Sequence, residues 1–288
     1  MVKRACLALG SILLLCLLIA TAVRPAVSEK RTAVSADGVE IVFSAEGKGG
    51  PALVFVHGWS CDRSYWKNQL PEFAKSSTVV AVDLGGHGQS GLGRKDWTVE
   101  AFGKDVAAVV EKLDLDRVVL IGHSMGGAVI FETAKLMPER VVALVGVDTY
   151  QDLEREIGED ARAQFLAAFR TDFAATTKSF VRGMFPADAD TALVDAVASG
   201  MAAAPPEVAI SVLENVFKYT ARGKLQELKI PVYAINGDLY PTNTEAGKRQ
   251  TYSFEVKIMP GRGHFLMLED PATFNKLLAE TIAEIGKK

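Results

Sequence analysis

Cysteine is scarce in this chain: 3 in 288 residues, at Cys6, Cys16 and Cys61. The first two fall in an apolar leader, which leaves Cys61 alone in the part that folds. One cysteine excludes an internal disulfide, and no Cys-x-x-Cys or Cys/His spacing offers a zinc site. A surplus of charge is missing too. With 32 Lys+Arg against 35 Asp+Glu the formal net charge is -3. No basic stripe stands out, which argues against nucleic acid as a partner. There is no internal repeat, low-complexity tract, P-loop, dinucleotide fingerprint or metal-ligand cluster, so neither a metal nor another cofactor is expected. Histidines number only 4, so the search for a catalytic base is short.

Apolar residues are what the chain has in quantity, 49% against 23% charged. Part of this is the N-terminus, where "MVKR" precedes an uncharged run from Ala5 to Val23. Ala20-Thr21-Ala22 puts small residues at the -3 and -1 positions of a cleavage site. The run is long for a signal peptide and close to the length that spans a bilayer. Residues 1–22 therefore read as a signal peptide or a retained N-terminal anchor, and the folded part as exported (periplasmic or secreted) or membrane-anchored through residues 5–23. Cys16 lacks the small-residue context of a lipoprotein cleavage site. The remaining length suits one large domain, or one domain with an inserted lobe.

Strand and helix patterns then alternate. "TAVSADGVEIVFSAEG" predicts a hairpin about Asp37-Gly38, a two-residue turn signal. "ALVFVHG", "TVVAVD", "RVVLIG", "VVALVGVDT", "KIPVYAINGD" and "FEVKIMPG" read as short strands. Their Val, Ile, Leu and Ala content predicts cover on both faces. Phe102, Val106, Val109, Val110 and Leu113 lie at helical spacing, and a last amphipathic helix is predicted from about Pro271 to Ile285. This alternation implies an α/β fold with a mostly parallel central sheet flanked by helices. It breaks between Thr149 and about Leu228, where four helical patterns and no strand occur. Such an insert reads as a helical cap (149–228) over a core made of residues 32–148 and 229–288. Phe173, Phe180, Met184 and Phe185 suit its apolar face.

The densest signal is "RVVLIGHSMGGAVIFETAKLMPE", where Ser124 sits between Gly122 and Gly126 at the point where a strand becomes a helix. A sharp turn there strains the central residue, and the glycines let strand and helix approach. The pattern Gly-x-Ser-x-Gly in this context is a nucleophile elbow that lifts the hydroxyl above the sheet edge. An alcohol needs a base. His123 adjoins the serine but points elsewhere. His57 in "FVHGW" and His87 in "GGHGQS" suit loop bracing. His264, in the glycine-rich "MPGRGHFLMLEDP" after the last strand, can reach the serine. Asp83, before "LGGHGQS", reads as a loop brace. Trp59, Tyr65 and Trp66 fit either the pocket or the core.

"HGW", "DLGGHGQSG", "GHSMGG" and "GRGHFLMLEDP", in this order and spacing, resemble the α/β-hydrolase fold enzymes. The nearest likeness is to monomeric esterases and cofactor-free haloperoxidase-like hydrolases with a helical cap. It covers nearly everything from about Thr32 onward. The resemblance implies Ser124 as nucleophile and His264 as general base. It implies the backbone N–H groups of Trp59 and Met125 as an oxyanion hole, and the insert as a cap that shapes the acyl pocket. Serine rather than aspartate at the elbow argues against haloalkane dehalogenases and epoxide hydrolases of the same fold.

The acid departs from that family's pattern. It usually stands three residues after a glycine ending the strand that follows the cap, and here that residue is Tyr240. Asp238, one residue after Gly237, serves if the loop is shortened. Asp148, at the end of "VVALVGVDTY", is the preferred reading, because the C-terminal end of an inner strand faces the ligand crevice. A half-buried carboxylate there needs a partner, which His264 would supply. The expected activity is hydrolysis of a small or medium hydrophobic carboxylic ester through an acyl-enzyme. Lactone, amide or C–C cleavage and perhydrolysis on the same triad are the alternatives, with a ligand-binding protein behind them.

Overall fold

The computed structural model describes residues 30–220 and 222–287. The expected signal or anchor at residues 1–22 lies outside the described residues.

The chain begins with the hairpin. β1 (Arg31–Val34) and β2 (Glu40–Glu46) pair antiparallel with Val34 opposite Glu40. The turn is longer than the two residues predicted. It runs from Ser35 to Val39 and is closed by Ser35 N–H to the Val39 carbonyl at 2.9 Å. The Asp37-Gly38 signal is still used, because Gly38 takes φ +87°. Six strands follow: β3 (Ala52–Val56), β4 (Val79–Val82), β5 (Val118–His123), β6 (Val141–Val147), β7 (Val232–Gly237) and β8 (Phe254–Met259). The eight form one sheet in the order β1-β2-β4-β3-β5-β6-β7-β8. β2 joins β4 antiparallel, and every pair from β4 to β8 is parallel. The inner strands β3, β4 and β5 are buried at every residue, as their unbroken Val/Ile/Leu runs require.

Helices flank this sheet. α1 (Leu70–Phe73) follows a 3-10 turn, Arg63–Trp66. α2 (Val99–Lys112) starts at Thr98, whose hydroxyl accepts the Ala101 N–H, and packs against α3 (Met125–Leu136). Between β6 and β7 come α4 (Glu159–Thr171), α5 (Phe173–Arg182), α6 (Thr191–Ala202) and α7 (Pro206–Lys218). They coincide with the four helical patterns in the sequence. α8 (Thr244–Gln250) lies against β8, and α9 (Leu266–Glu269) leads into α10 (Pro271–Ile285). Asp270 accepts the Thr273 N–H and Pro271 is the first helical residue, so α10 starts where its cap dictates. α8 has no apolar period to read, which is why sequence reasoning missed it.

The insert is fastened to the sheet edge. Trp59, after β3, donates its indole N–H to the Ala209 carbonyl in α7 at 2.8 Å. Its ring meets Phe169 of α4 edge-on at 5.5 Å and Phe173 of α5 at 6.1 Å.

A buried charged cluster ties the hairpin to the rest. Arg94 makes two hydrogen bonds to Asp105 in α2, at 3.0 and 2.5 Å, and another to Asp37 at 2.6 Å. Asp105 also accepts from Ser35 Oγ at 2.6 Å and from Gly85 N–H at 2.9 Å. Burial pushes the Asp105 carboxyl up, and Arg94 opposes that shift. Arg94→Met strands a fully buried carboxylate and should cost about 3–5 kcal/mol in urea unfolding. Adding Asp105→Leu removes the orphan charge and should recover part of that loss. A single variant within about 1 kcal/mol of wild type would show that this pair does not hold the fold.

Candidate active site

β5 ends at His123 and α3 begins at Met125, so one residue, Ser124, makes the corner. Its backbone sits at φ +54°, ψ -119°, where a non-glycine residue stays only under constraint. The constraint is close packing. A Cβ on Gly122 would lie 2.3 Å from the Gly126 carbonyl oxygen, and one on Gly126 would lie 2.6 Å from that of Val56. Strand and helix can meet only with both side chains absent. Ser124 N–H donates to the Val147 carbonyl at 3.0 Å, which pins the corner to β6.

His264 lies in the loop between β8 and α9. Its Nδ1–H donates to Asp148 Oδ2 at 2.5 Å. Asp148 follows β6 directly, is buried, and takes φ +44°. Its other oxygen accepts the Gly237 N–H at 2.9 Å. Asp238 is exposed and accepts the Gly261 N–H at 2.8 Å, away from the imidazole. Of the two acids named from sequence, the structure brings Asp148 to the histidine and leaves Asp238 bracing the base of the loop. Gly237, where the family pattern begins its count, supplies the amide that holds the acid arriving from β6.

Three contacts that sequence reasoning missed fix the backbone around His264. The Met184 carbonyl, from the insert, accepts the His264 N–H at 2.9 Å. His123 Nε2–H donates to the His264 carbonyl at 2.9 Å, with the two rings 4.7 Å apart. Glu269 accepts the amides on both sides, Gly263 N–H at 2.8 Å and Phe265 N–H at 2.9 Å. Only Glu269 had a readable signal, as an acid five residues past the histidine. The imidazole Nε2 has no partner among the described residues.

Ser124 and His264 share a cavity of about 200 Å³ with Trp59 and Met125. Met125 is the first residue of α3, so its N–H is one of the orphan donors of a helix start. The Trp59 loop passes close by: a Cβ on Gly58 would stand 3.1 Å from Ser124 Cβ. Phe165, Phe180, Met184, Met201, Leu213 and Phe217 of the insert form much of the wall, which has no Asp, Glu, Lys or Arg. Phe173 and Phe185 are absent from it. They pack on Trp59 and Phe265 instead. Trp66 is fully buried against Phe55, and Tyr65 lies on Phe265, so neither reaches the cavity. A more open hollow of about 800 Å³ between α1 and α10 contains none of these groups.

The other histidines are structural. His57 Nδ1–H donates to the Gly58 carbonyl at 2.8 Å and its Nε2 accepts the Leu84 N–H at 3.1 Å, so both nitrogens are used by the neutral ring. His87 bonds the Gly85 carbonyl at 3.0 Å. Asp83 braces the same loop, as expected, accepting the amides of Arg63 (2.7 Å) and Gln89 (2.9 Å) and pairing with the Arg63 guanidinium.

A family described as "Alpha/beta hydrolase family" matches residues 53–277. An esterase from Exiguobacterium antarcticum superposes with a TM-score of 0.81, covering 88% of this chain and 100% of its own at 17% identity. A thermophilic esterase from Thermogutta terrifontis gives 0.78, covering 90% and 99% at 22% identity. At these identities the likeness is one of fold. Among curated sequences, the dihydrolipoyllysine-residue acetyltransferase component of an acetoin cleaving system from Pseudomonas putida is 35% identical over 152 residues, 53% of this chain. The chain spans 39% of the length of that protein and 54% of a matched protein from Mycobacterium phage D29.

The neutral histidines make stability depend on pH. Burial lowers His57 to about 4, and burial with His57 as neighbour lowers His87 to about 3, from an ordinary value of 6.5. The unfolded chain therefore binds more protons than the fold between about pH 6.5 and pH 4. Stability is full above that window and is lost as pH falls through it, by an amount on the order of a few kcal/mol. The melting temperature should drop on going from about pH 7 to about pH 4, and His57→Gln should flatten the slope. A slope that His57→Gln leaves unchanged would show that His57 is not the source of the loss.

Proposed function

Since the chain belongs to the alpha/beta hydrolase family, we propose that it is a serine hydrolase of small or medium, uncharged carboxylic esters. The observation that carries this reading is the Asp148–His264 hydrogen bond at the wall of an apolar cavity that also holds Ser124. Ser124 Oγ attacks the acyl carbon and gives its proton to His264 Nε2. Asp148, on Nδ1, holds the tautomer and stabilises the imidazolium. The N–H groups of Trp59 and Met125 take the oxyanion, an interaction worth a few kcal/mol in the transition state. The alcohol leaves with the proton from His264. Water, deprotonated by the same ring, then frees the acid.

The insert acts as a cap in this reading. It supplies the phenylalanine and methionine wall on which an acyl group lies, and a wall without ionised side chains suits a neutral ester. The apolar leader supports an exported or membrane-anchored location for the reaction.

The first test assays the folded part against p-nitrophenyl esters of rising acyl length. Ser124→Ala should abolish turnover. A cavity of roughly 150 Å³ holds a benzene ring, so a space of about 200 Å³ should favour acyl groups from butanoyl to octanoyl and reject palmitoyl. Equal, near-background rates in wild type and Ser124→Ala would reject simple ester hydrolysis and leave a specialised substrate or a ligand-binding protein.

A second test separates the acids. Asp148→Asn should lower kcat on the order of 10⁴-fold. Asp238→Asn should stay near wild type. The reverse order would move the triad to Asp238.

A further inference from the structure

The turn that carries His264 rests on a carboxylate that no catalytic step uses. Glu269, the last residue of α9, directs one oxygen to the Gly263 N–H at 2.8 Å and the other to the Phe265 N–H at 2.9 Å. Both oxygens thus go to the two amides that flank one residue. We propose that Glu269 is a positioning residue for His264: by holding the peptide planes on both sides at once, it sets the direction in which the imidazole leaves the loop. This rests on the reading of His264 as general base.

Three observations favour this over a plain turn brace. The remaining backbone groups of His264 are held by other elements, N–H by the Met184 carbonyl and C=O by His123 Nε2–H. With Glu269 in place, little freedom remains except rotation of the side chain, and one hydrogen bond to Asp148 fixes that. Next, Glu269 does not line the cavity, so it cannot act through the substrate. Finally, a half-buried carboxylate is kept only where its oxygens are well bonded. Burial raises its pKa, the two amides and the Arg262 charge oppose that, and the Asp148 charge adds to it. His264 itself, His123 on the His264 carbonyl, and the Arg262–Asp270 pair at 3.5 Å also face this turn.

Glu269→Gln is the test, since it keeps the volume but offers one amide a donor in place of an acceptor. Expected is a fall in kcat of about 10- to 100-fold with KM unchanged, the cost of a base displaced by a fraction of an ångström to an ångström. Rates are taken per site reactive to a phosphonate probe, so misfolded protein does not count. Glu269→Asp, which keeps the charge but reaches one amide, should fall between Gln and wild type. Unchanged kcat per reactive site in the Gln variant would overturn the proposal and leave Glu269 as a brace of the fold. If wild type itself turns over no ester, the function reading fails and the imidazole decides separately. The downfield Nδ1–H proton resonance of His264 should then shift or vanish in Glu269→Gln, and an unmoved resonance would overturn the positioning role.

Discussion

The backbone contact between Gly122 and the Gly126 carbonyl leaves no room for a side chain, and the rest of this sheet edge is arranged about it. It lets α3 start one residue after β5 ends, so Ser124 is bent into a conformation it would not choose. Such strain persists only where surrounding contacts over-determine the backbone. Here they do: the Ser124 amide is tied to β6, and Gly126 lies against the carbonyl of Val56 in β3. Three parallel strands therefore share the task of holding one hydroxyl. Because parallel strands end on the same side, the loops after β3, β5, β6 and β8 all arrive at that hydroxyl.

Polarity at this edge is handled by saturation. Buried polar groups are costly unless bonded, and the loops around Ser124 bond nearly all of theirs. His57 uses both ring nitrogens on backbone, and Asp83 accepts two amides and pairs with Arg63. Two atoms are exceptions among the described residues: Ser60 Oγ in the loop after β3, and His123 Nδ1, whose ring partner Nε2–H goes to the His264 carbonyl. Burial and the neighbouring His264 hold its pKa well below the ordinary value, so it stays neutral beside the proposed base. Of the two ring nitrogens, His123 Nδ1 and His264 Nε2, only the second belongs to an imidazole held by a carboxylate, Asp148.

The helical insert is more than a cover. It contributes most of the apolar wall, accepts the Trp59 indole N–H, and accepts the His264 N–H through Met184. A Cβ on Gly263 would lie 2.3 Å from the same Met184 carbonyl, so the histidine loop and the insert are in backbone contact. The cavity and the position of the imidazole are therefore fixed by one interface, and a change in the lie of the insert changes both.

The sequence by itself determined the alternation of strands and helices, the breadth of the insert, the elbow at Ser124 and the histidine at 264. Each is a local property: apolar runs, helical period, glycines at fixed offsets from a serine. The hairpin loop came out longer and α8 went unread, because a turn signal names the tight residue but not the register, and a seven-residue polar helix has no period. For the acid the sequence preferred Asp148 but left Asp238 open. Asp148 and Asp238 both follow apolar strands, and only the tertiary structure decides that β6 and β7 lie side by side. With those strands adjacent, the amide of Gly237 holds Asp148 toward His264, while Asp238, two residues further along in the paired register, lies on the Gly261 amide. The same holds for Glu269, whose distance from His264 is visible in the chain but whose two hydrogen bonds exist only once the loop has folded back over it. Local pattern specifies which groups reach the edge of the sheet; the pairing of strands and the path of loops decide which of them meet.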